Sequence, residues 1–592
     1  MPGPGDPVGL INADPIPVEL TGRLLTDARK VARTCSALVD VDRIDGVRHS
    51  GRSELLLRPC PQPPLQGWHL RIKGRLQRPS PGPHPRLPGS AERLARQACW
   101  SQLKADGLTI LRRPWTPVAD LRRTIARRLQ AAAGPKQGGL IAALVLGGAQ
   151  VSLPFELRHA FRVAGLSHAL AASGFHLSVL LGAALWLGRR TKPRLRVGFA
   201  ALALVLFPTL AGAQPSVIRA VLMGAAVLLI RESGERSRAI GVLVVTLIVM
   251  LLIHPGWARA IGFQLSAAAT AGLILTAPRL EAAFNRCLPQ PIARLAPVLA
   301  VPCAAMLWTL PLQLLHFGST PLYALPANLM AAPLLGPLTL AAMALALVSL
   351  VLPVPLLQLL VWPVQLLAGL LIAMVNWISS WPGGVLLTGE LQHGVAALLA
   401  LSLLPWALAL GPSWRRFTPI PLLIAVLVQL NGRLSDGVVA AHSMGRHWLL
   451  ARHSGRGALV STRADRRSCA VAQRLAQAHG LGRLDWVLIL DPVATEDQAC
   501  WRSLALHVQA SQQGMAPMAL GQQLRSDGLS LELLSGRGMP MLLRVGGQRW
   551  AVLPTPQALW ALRNEGLDPS SAHWTGTWLG FQPSTGGRHI GL

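Results

Sequence analysis

The chain has 592 residues, of which 51% are hydrophobic and 14% charged, with a formal net charge of +30. A soluble domain carries about a quarter charged residues, so these figures exclude a wholly soluble globular protein and an acidic one. Basic and acidic side chains number 23 and 11 over residues 1–140, 17 and 5 over 141–431, and 16 and 10 over 432–592, which divides the chain into a basic head, an apolar body and a mildly basic tail.

The charge is almost all arginine; Lys30, Lys73, Lys104, Lys136 and Lys192 are the lysines. Arginine pairs with phosphate in a two-pronged geometry, so nucleic acid is a permitted partner. Cationic loops that set membrane topology are the competing explanation. The seven cysteines show no CxxC pair and no zinc-ligand spacing. Cys35 and Cys60 share the head, where they either bridge in an oxidising compartment or stay as buried thiols.

Residues 1–17 are predicted to be disordered. From 18 to 115, VELTGRLL, SALVDVDRI, SELLLRP and WHLRIKGRL alternate apolar and polar residues with strand period. Five or so such strands in about a hundred residues suit a small barrel, with an OB-like fold as the best single assignment. Aromatics for base stacking are sparse there, mainly Trp68, Trp100 and Trp115. Residues 116–160 read as basic amphipathic linker helices, with Leu121–Gln130 (LRRTIARRLQ) suited to lipid headgroups, to phosphate or simply to solvent.

The body, 161–431, predicts a polytopic α-helical membrane protein. A crossing needs about 20 mostly apolar residues, and candidate spans lie near 166–188, 197–213, 216–230, 239–253, 260–277, 296–315, 323–352, 356–380, 393–410 and 418–430, about ten in all. Pro326, Pro333 and Pro337 mark 323–352 as a broken or re-entrant segment. Arg189, Arg190, Lys192, Arg194 and Arg196 follow the first span, Arg231, Arg236 and Arg238 the third, Arg279, Arg286 and Arg294 the fifth, and Arg415 and Arg416 the ninth. The positive-inside rule places those loops in the cytoplasm and both head and tail outside. Arg122, Arg123, Arg127 and Arg128 conflict with that rule. The first residues, MPGPGDPVGL, lack a signal peptide's charged start and apolar stretch. An outward head therefore predicts leading spans upstream of Met1 that a misassigned start omits or this lineage lost.

In the tail, 432–592, VVAAH, HWLLARH and GALVSTR read as strands, CAVAQRLAQAHG as a helix, LDWVLIL as a buried strand, and PMLLRVGG and QRWAVLPT as strands around a Gly-Gly turn. That order predicts an α/β layered domain.

Four stretches of the body, in order, carry a family resemblance: GLSHALAASGFH at 165–176, QPSVIRA at 214–220, GFQLSAAATAGL at 262–273 and LPLQLLHFGSTPLYALPANLMAAPLLGP at 310–337. They resemble the elements of the ComEC family of competence proteins. Each also has a direct reading. On one helix, residues i and i+8 share a side, so His168 and His176 line a stripe with Ser173 nearby. Gly174 allows close helix packing. Arg219 at membrane depth calls for a partner, an aqueous path or a passing anion, and no acidic residue lies in the nearby spans. Gln264, Ser266 and Asn328 supply neutral polar groups that can bond each other, water or substrate. Structural roles compete with each of these readings.

The resemblance implies a channel that carries single-stranded DNA inward across the bacterial cytoplasmic membrane during natural transformation. A DNA receptor outside and a cytoplasmic motor are the implied partners, and a homo-oligomer is left open. No GxxxxGK[ST] phosphate loop is present, which leaves ATP hydrolysis to a partner. It further implies His168, Ser173, Gly174, His176, Arg219, Gln264, Ser266 and Asn328 as translocation-path candidates. Arg71, Lys73, Arg75, Arg122 and Arg123 are DNA-contact candidates. The tail resembles a metallo-β-lactamase-like fold without its chemistry: after LDWVLIL comes DPVATEDQ, with Pro492, Ala494 and Asp497 where histidines belong and Glu496 where the aspartate belongs. Asp491, Glu496 and Asp497 suit a hard cation, weakly, rather than zinc. His442, His447 and His453 lack ligand spacing. A degenerate, non-catalytic domain with no metal and no cofactor is therefore expected. Two alternatives stand: a small-molecule or ion transporter, and an intramembrane hydrolase with Ser173 as nucleophile and a histidine as base.

Overall fold

The structure, a computed structural model, describes residues 2–12, 14–31, 34–234, 238–408, 411–512, 517–564, 566–567, 573–582 and 589–590. Arg236 of the basic loops lies outside them, as do parts of the tail's last thirty residues. Chain contacts form two units: Thr116–Leu386 with Gln392–Val426, and Met1–Trp115 with Leu387–Leu391 and Leu427–Leu592.

In the head, β1 (Ile16–Leu24), β2 (Arg29–Val31), β3 (Thr34–Ile44), β4 (Val47–Leu57), β5 (His69–Gln77) and β6 (Ser101–Arg112) form one sheet in the order β1-β5-β6-β4-β3-β2. The β1–β3 pairing closes five of them into a barrel. Alternation does this work: in β5, Leu70, Ile72 and Leu76 are fully buried while Arg71, Lys73 and Arg75 point to solvent. Each such buried leucine or isoleucine contributes about 1.5–3 kcal/mol. Cys35 and Cys60 form a disulfide. A short helix, α1 (Ser90–Ala95), precedes β6.

The body contains α2 (Pro117–Ala133), α3 (Gly139–Leu146), α4 (Phe155–Val163), α5 (Ser167–Leu170), α6 (Gly174–Leu187), α7 (Pro193–Ala211), α8 (Pro215–Ser233), α9 (Ala239–Ile253), α10 (Ile261–Leu275), α11 (Ala277–Cys287), α12 (Gln290–Ala293), α13 (Ala296–Phe317), α14 (Ala324–Val351), α15 (Val354–Ser379), α16 (Gln392–Ala407), α17 (Pro412–Arg415) and α18 (Pro419–Leu434), with a small β7 (Ser319–Pro321) and β8 (Val385–Leu387) pair. Among the described residues, four helices are long and apolar enough to cross a bilayer, or up to five if the bent α10–α11 pair, broken by 50°, is one span. That is fewer than the ten crossings expected; four further apolar helices are shorter. Arg279 and Arg286 stand on α11 rather than in a loop.

Two expectations are corrected here. The segment 116–160 packs into the body: Ile125 and Leu129 of α2 and all of α3 share one core with Ala327, Leu338, Leu357 and Leu371 of α14 and α15. The stretch 323–352 is not broken, because α14 runs 28 residues through Pro333 and Pro337. Pro326 falls in its first turn, where no intrahelical N–H is lost. The buried face of Ala327, Ala331, Leu335, Leu338 and Ala342 holds the remainder straight enough to outweigh two missing hydrogen bonds.

In the tail, β9 (Gly437–Ser443), β10 (Arg446–His453), β11 (Arg456–Ser461), β12 (Leu484–Pro492) and β13 (Ala505–Ser511) form a sheet in the order β13-β12-β11-β10-β9. Helices α19 (Arg466–Ala478) and α20 (Thr495–Leu504) are its crossovers. A second sheet runs β14 (Gln523–Ser526), β15 (Leu529–Leu533), β16 (Met541–Val545), β17 (Gln548–Leu553), β18 (Gly576–Leu579) and β19 (His589–Ile590), with α21 (Pro556–Asn564) before β18. Leu449, Val460 and Trp486 of the first sheet pack on Leu531, Leu543 and Val552 of the second. Helices α19 and α20 cover the first sheet's other face and α21 the second's, giving helix, sheet, sheet and helix layers. A disulfide that sequence spacing did not reveal joins Cys469 of α19 to Cys500 of α20. Closing a loop of 31 residues removes about 3–4 kcal/mol of unfolded-chain entropy.

Asp465 caps α19 and receives two bonds from Arg446, at 3.2 and 2.6 Å, and one from the Ser468 hydroxyl. The Arg446 guanidinium first, then Ser468, holds this carboxyl well below the usual carboxylate range. The native state therefore binds the proton less readily than the unfolded chain. The pair stabilises the tail above about pH 4 and loses that contribution as pH falls from there toward the native value. Asparagine keeps the cap but not the charge, so Asp465→Asn should cost about 1 kcal/mol at neutral pH after solvent screening. Melting curves of the two proteins should converge progressively below about pH 4; a gap of constant size from pH 7 to pH 3 would refute the assignment.

Candidate functional site

The polar residues of the body gather where α5 stops and α6 begins. Ala171 and Ser173 are extended, and Gly174 opens the new helix. The expectation of one continuous helix over 166–188, with His168 and His176 on a shared stripe, is therefore corrected. Serine favours the position before a helix, so Ser173-Gly174 starts α6 instead of continuing α5. The Ser173 hydroxyl and His176 Nδ1 are 3.0 Å apart, a side-chain pair between the N-cap and third positions, and the Ser173 side chain makes no cap bond to the helix backbone. His176 is 1% exposed, edge-on to Phe175, and its Nε2 has no partner among the described residues. His168 is exposed on α5 and bonded to the Gly165 backbone. Gly165 has φ +78°, and a Cβ there would lie 2.5 Å from that of Ala324, so glycine lets the segment before α5 touch the start of α14.

The next element is tied to the same break. Pro215 begins α8, and the Ser216 hydroxyl donates to the Ala172 carbonyl at 3.1 Å. One turn later comes Arg219, 8% exposed. Its Nε donates to the Ser266 hydroxyl of α10 at 2.7 Å, and its Nη1 lies 3.3 Å from Met223 Sδ. Its Nη2 is 3.6 Å from where a Cβ on Gly174 would stand, so the glycine gives the guanidinium room against the start of α6. Among the described residues every polar partner of Arg219 is neutral. The arrangement is a buried cation, shaped by neutral groups, whose charge no carboxylate cancels.

Two turns of α10 thus carry Ser266 toward Arg219 and Gln264 toward α13. Gln264 Oε1 bonds His316 Nε2 at 2.6 Å, and its amide donates to the Ala258 carbonyl. Along α13 the bonds continue from Gln313 to Thr309 at 2.9 Å and from Thr320 to Gln313 at 3.1 Å. Asn328 is not part of this network; its amide donates to Ala324 of its own helix. The structure therefore joins Ser173 with His176, and Arg219 with Gly174 and Ser266, but keeps Gln264 and Asn328 apart. Ser216, Gln313 and His316 were missed as site residues, although each sits inside a motif already quoted and is polar within an apolar stretch.

The basic helix α2 is engaged internally. Arg122 donates to the Thr209 carbonyl near the end of α7 through Nε at 3.1 Å and Nη2 at 2.5 Å. Arg128 donates to the Ser349 and Leu352 carbonyls at the end of α14. Arginine suits helix C-termini, whose last carbonyls lack partners. Arg123 pairs with Asp120 at 2.6 Å. Arg122 and Arg123 thus have helix-end and intrahelical partners, and most of the run that conflicted with the positive-inside rule makes bonds within the body. On the barrel, Arg71 and Lys73 share Glu19 at 3.3 Å each, while Arg75 is exposed on the same face. Trp68 is covered by Arg113 at 4.7 Å.

In the tail, Asp491 pairs with Arg463 at 3.5 Å, and Glu496 and Asp497 fall in the first turn of α20. His442 stacks on His447 across the β9–β10 hairpin, and His453 bonds Asp436 at 2.7 Å. Among the described residues no three His, Cys, Asp or Glu side chains are grouped to hold a metal.

A family model described as Competence protein matches residues 144–413, the stretch that holds every residue of the cluster above. ComE operon protein 3 of Bacillus subtilis (strain 168) is 27% identical over 296 residues, covering 48% of this chain and 36% of that protein. The match thus spans about a third of the relative's length. No solved structure matches the chain. On these findings, with the motifs in their expected order, residues 144–413 are similar to the ComEC family of competence proteins, and the long apolar helices of that stretch suit a membrane protein.

Proposed function

We propose that the chain is the conduit through which a single DNA strand crosses the cytoplasmic membrane during natural transformation, without catalysis of its own. The observation that carries this reading is Arg219: a cation buried in an apolar body, held by Ser266 and Met223, with no carboxylate partner among the described residues. Such a charge lowers the cost of a phosphate at membrane depth. A receptor outside and a motor inside supply capture and pulling. The Cys35–Cys60 and Cys469–Cys500 disulfides support an oxidising, extracytoplasmic location for head and tail. The barrel's strand order, with β4 and β6 parallel and β1 closing on β3, supports the OB-like reading. The four-layer tail supports the metallo-β-lactamase-like one, and the occupied Asp491 supports a non-catalytic role.

One observation favours the second reading, an intramembrane hydrolase: the 3.0 Å Ser173–His176 bond. It uses Nδ1, and among the described residues Nε2 meets no orienting carboxylate, whereas a serine is activated by a base that a third group orients. Labelling by a fluorophosphonate that disappears in Ser173→Ala would decide for hydrolysis. The primary test is deletion of the gene in its native host and restoration with wild type, scored by transformation with linear marked DNA. Loss and rescue support the conduit; undiminished transformation in the deletion strain refutes it.

A further inference from the structure

The tail carries a cationic cleft that none of the expected site residues touches. It lies between the β9–β10 hairpin and α19, encloses about 300 Å³, and is walled by Arg446, Arg467 and Arg474 with Met444 at its rim and Trp448 at its floor. Residues 437–478 contain seven arginines and one acidic residue, Asp465. That carboxylate is already bound to Arg446 and fixes it in place. Arg467 and Arg474 are exposed, and seven residues apart on α19 they stand on one face, ~10 Å apart along the axis. Small Ala470 lies between them on the wall, so nothing bulky fills the space. Trp448 is 0% exposed and closes the floor from beneath. The cleft thus offers two exposed guanidinium groups, Arg467 and Arg474, the latter steadied by its Nε donating to the Ala470 carbonyl at 3.2 Å, and a fixed third one, while no acidic side chain is among its lining residues.

We infer that this cleft binds the sugar-phosphate backbone of a single nucleic-acid strand, which rests on the DNA reading proposed above. Walls carrying three guanidinium groups and one hydroxyl match phosphodiester oxygens. The one aromatic residue is buried under the floor and presents no face for stacking, so the grip is on backbone and does not depend on base sequence. The tail is then a guide for the strand rather than a hydrolytic domain.

The test uses the full chain in neutral-lipid nanodiscs and fluorescent oligothymidylate and mixed-sequence oligonucleotides of equal length, titrated at several salt concentrations. Arg467→Gln with Arg474→Gln should weaken binding about tenfold and flatten the salt dependence by about 1.4 in log–log slope, the value for two phosphate contacts on a single strand. Both oligonucleotides should respond alike, and inorganic phosphate at matched ionic strength should not displace them. Met444→Glu, at an exposed rim position, should weaken binding without touching the arginines, and an intact Cys469–Cys500 bridge in each variant establishes folding. Unchanged affinity and slope in the double variant overturn the cleft while leaving DNA uptake, scored separately by transformation, intact. Displacement by inorganic phosphate makes it a small-anion site and also overturns it. A wild-type chain that binds no oligonucleotide at low salt overturns nucleic-acid binding by the tail altogether.

Discussion

Arg219→Leu should lower transformation by about a hundredfold while leaving the protein as abundant in the membrane as wild type. A charge at the bilayer centre costs about 3 kcal/mol on insertion scales, and an opposite charge already waiting there offsets a cost of that order. Losing 2.7 kcal/mol from the rate-limiting crossing is about a hundredfold in rate. The fold should hold, because removing Arg219 strands no opposite charge: its partners Ser266 and Met223 are neutral. Arg219→Lys should fall between the two: lysine keeps the charge but lacks the planar fork that reaches both Ser266 and Met223. Ser266→Ala removes only the neutral partner, and its effect should be several-fold at most. Immunoblots of membrane fractions control for abundance. Wild-type transformation by an abundant Arg219→Leu protein would remove this residue from the path.

The pattern of what could be read beforehand follows from which interactions are local. Strand β5 was legible in HLRIKGRLQ because a barrel wall alternates strictly between core and solvent. Strand β6 was not, since the buried polar pair Ser101 and Gln102 and the exposed Gly107 interrupt the alternation and its pairing with β5 is bulged at two points. Prolines misled at α14 because a local rule for helix breaking meets a tertiary packing term, the buried alanine and leucine face, that sequence does not display. At the site, the identity of Arg219 as a costly buried charge was legible from hydropathy alone. Its partner Ser266, 47 residues away, was named only as another polar residue in a span, and the bond between them needed the fold. The two histidines illustrate the opposite error: a stripe drawn on one helix fails when a Ser-Gly pair starts a second. The Cys469–Cys500 bridge joins two crossover helices of a layered domain, a juxtaposition with no local signature.

The segment between β5 and α1 has no regular pattern at all, yet it should govern the stability of the tail. Residues 78–89 hold five prolines, and Glu92 draws its two ends together by accepting from Gly89 at 2.7 Å and Gly82 at 3.4 Å. From this strap the Pro83 carbonyl accepts from the His442 backbone at 3.1 Å, His84 stacks edge-on against His479, and Leu87, 5% exposed, enters the core formed by Trp448, Leu475 and Trp501. Proline limits the freedom the strap loses on docking, so most of the leucine's burial is retained as net stabilisation. Leu87→Ala should destabilise the tail by about 2–5 kcal/mol, a fall of roughly 5–15 °C in melting temperature for a domain of this size. Leu87→Asp should cost more, since a carboxylate there has only apolar neighbours. Tryptophan fluorescence reports the transition directly, because Trp448, Trp486, Trp501 and Trp578 are all buried in the tail. If both variants melt with wild type, the strap is a surface contact and the barrel and tail fold independently. If they melt early, the head supplies part of the tail's core, and any truncation that removes the barrel will also unfold the domain that carries the arginine cleft.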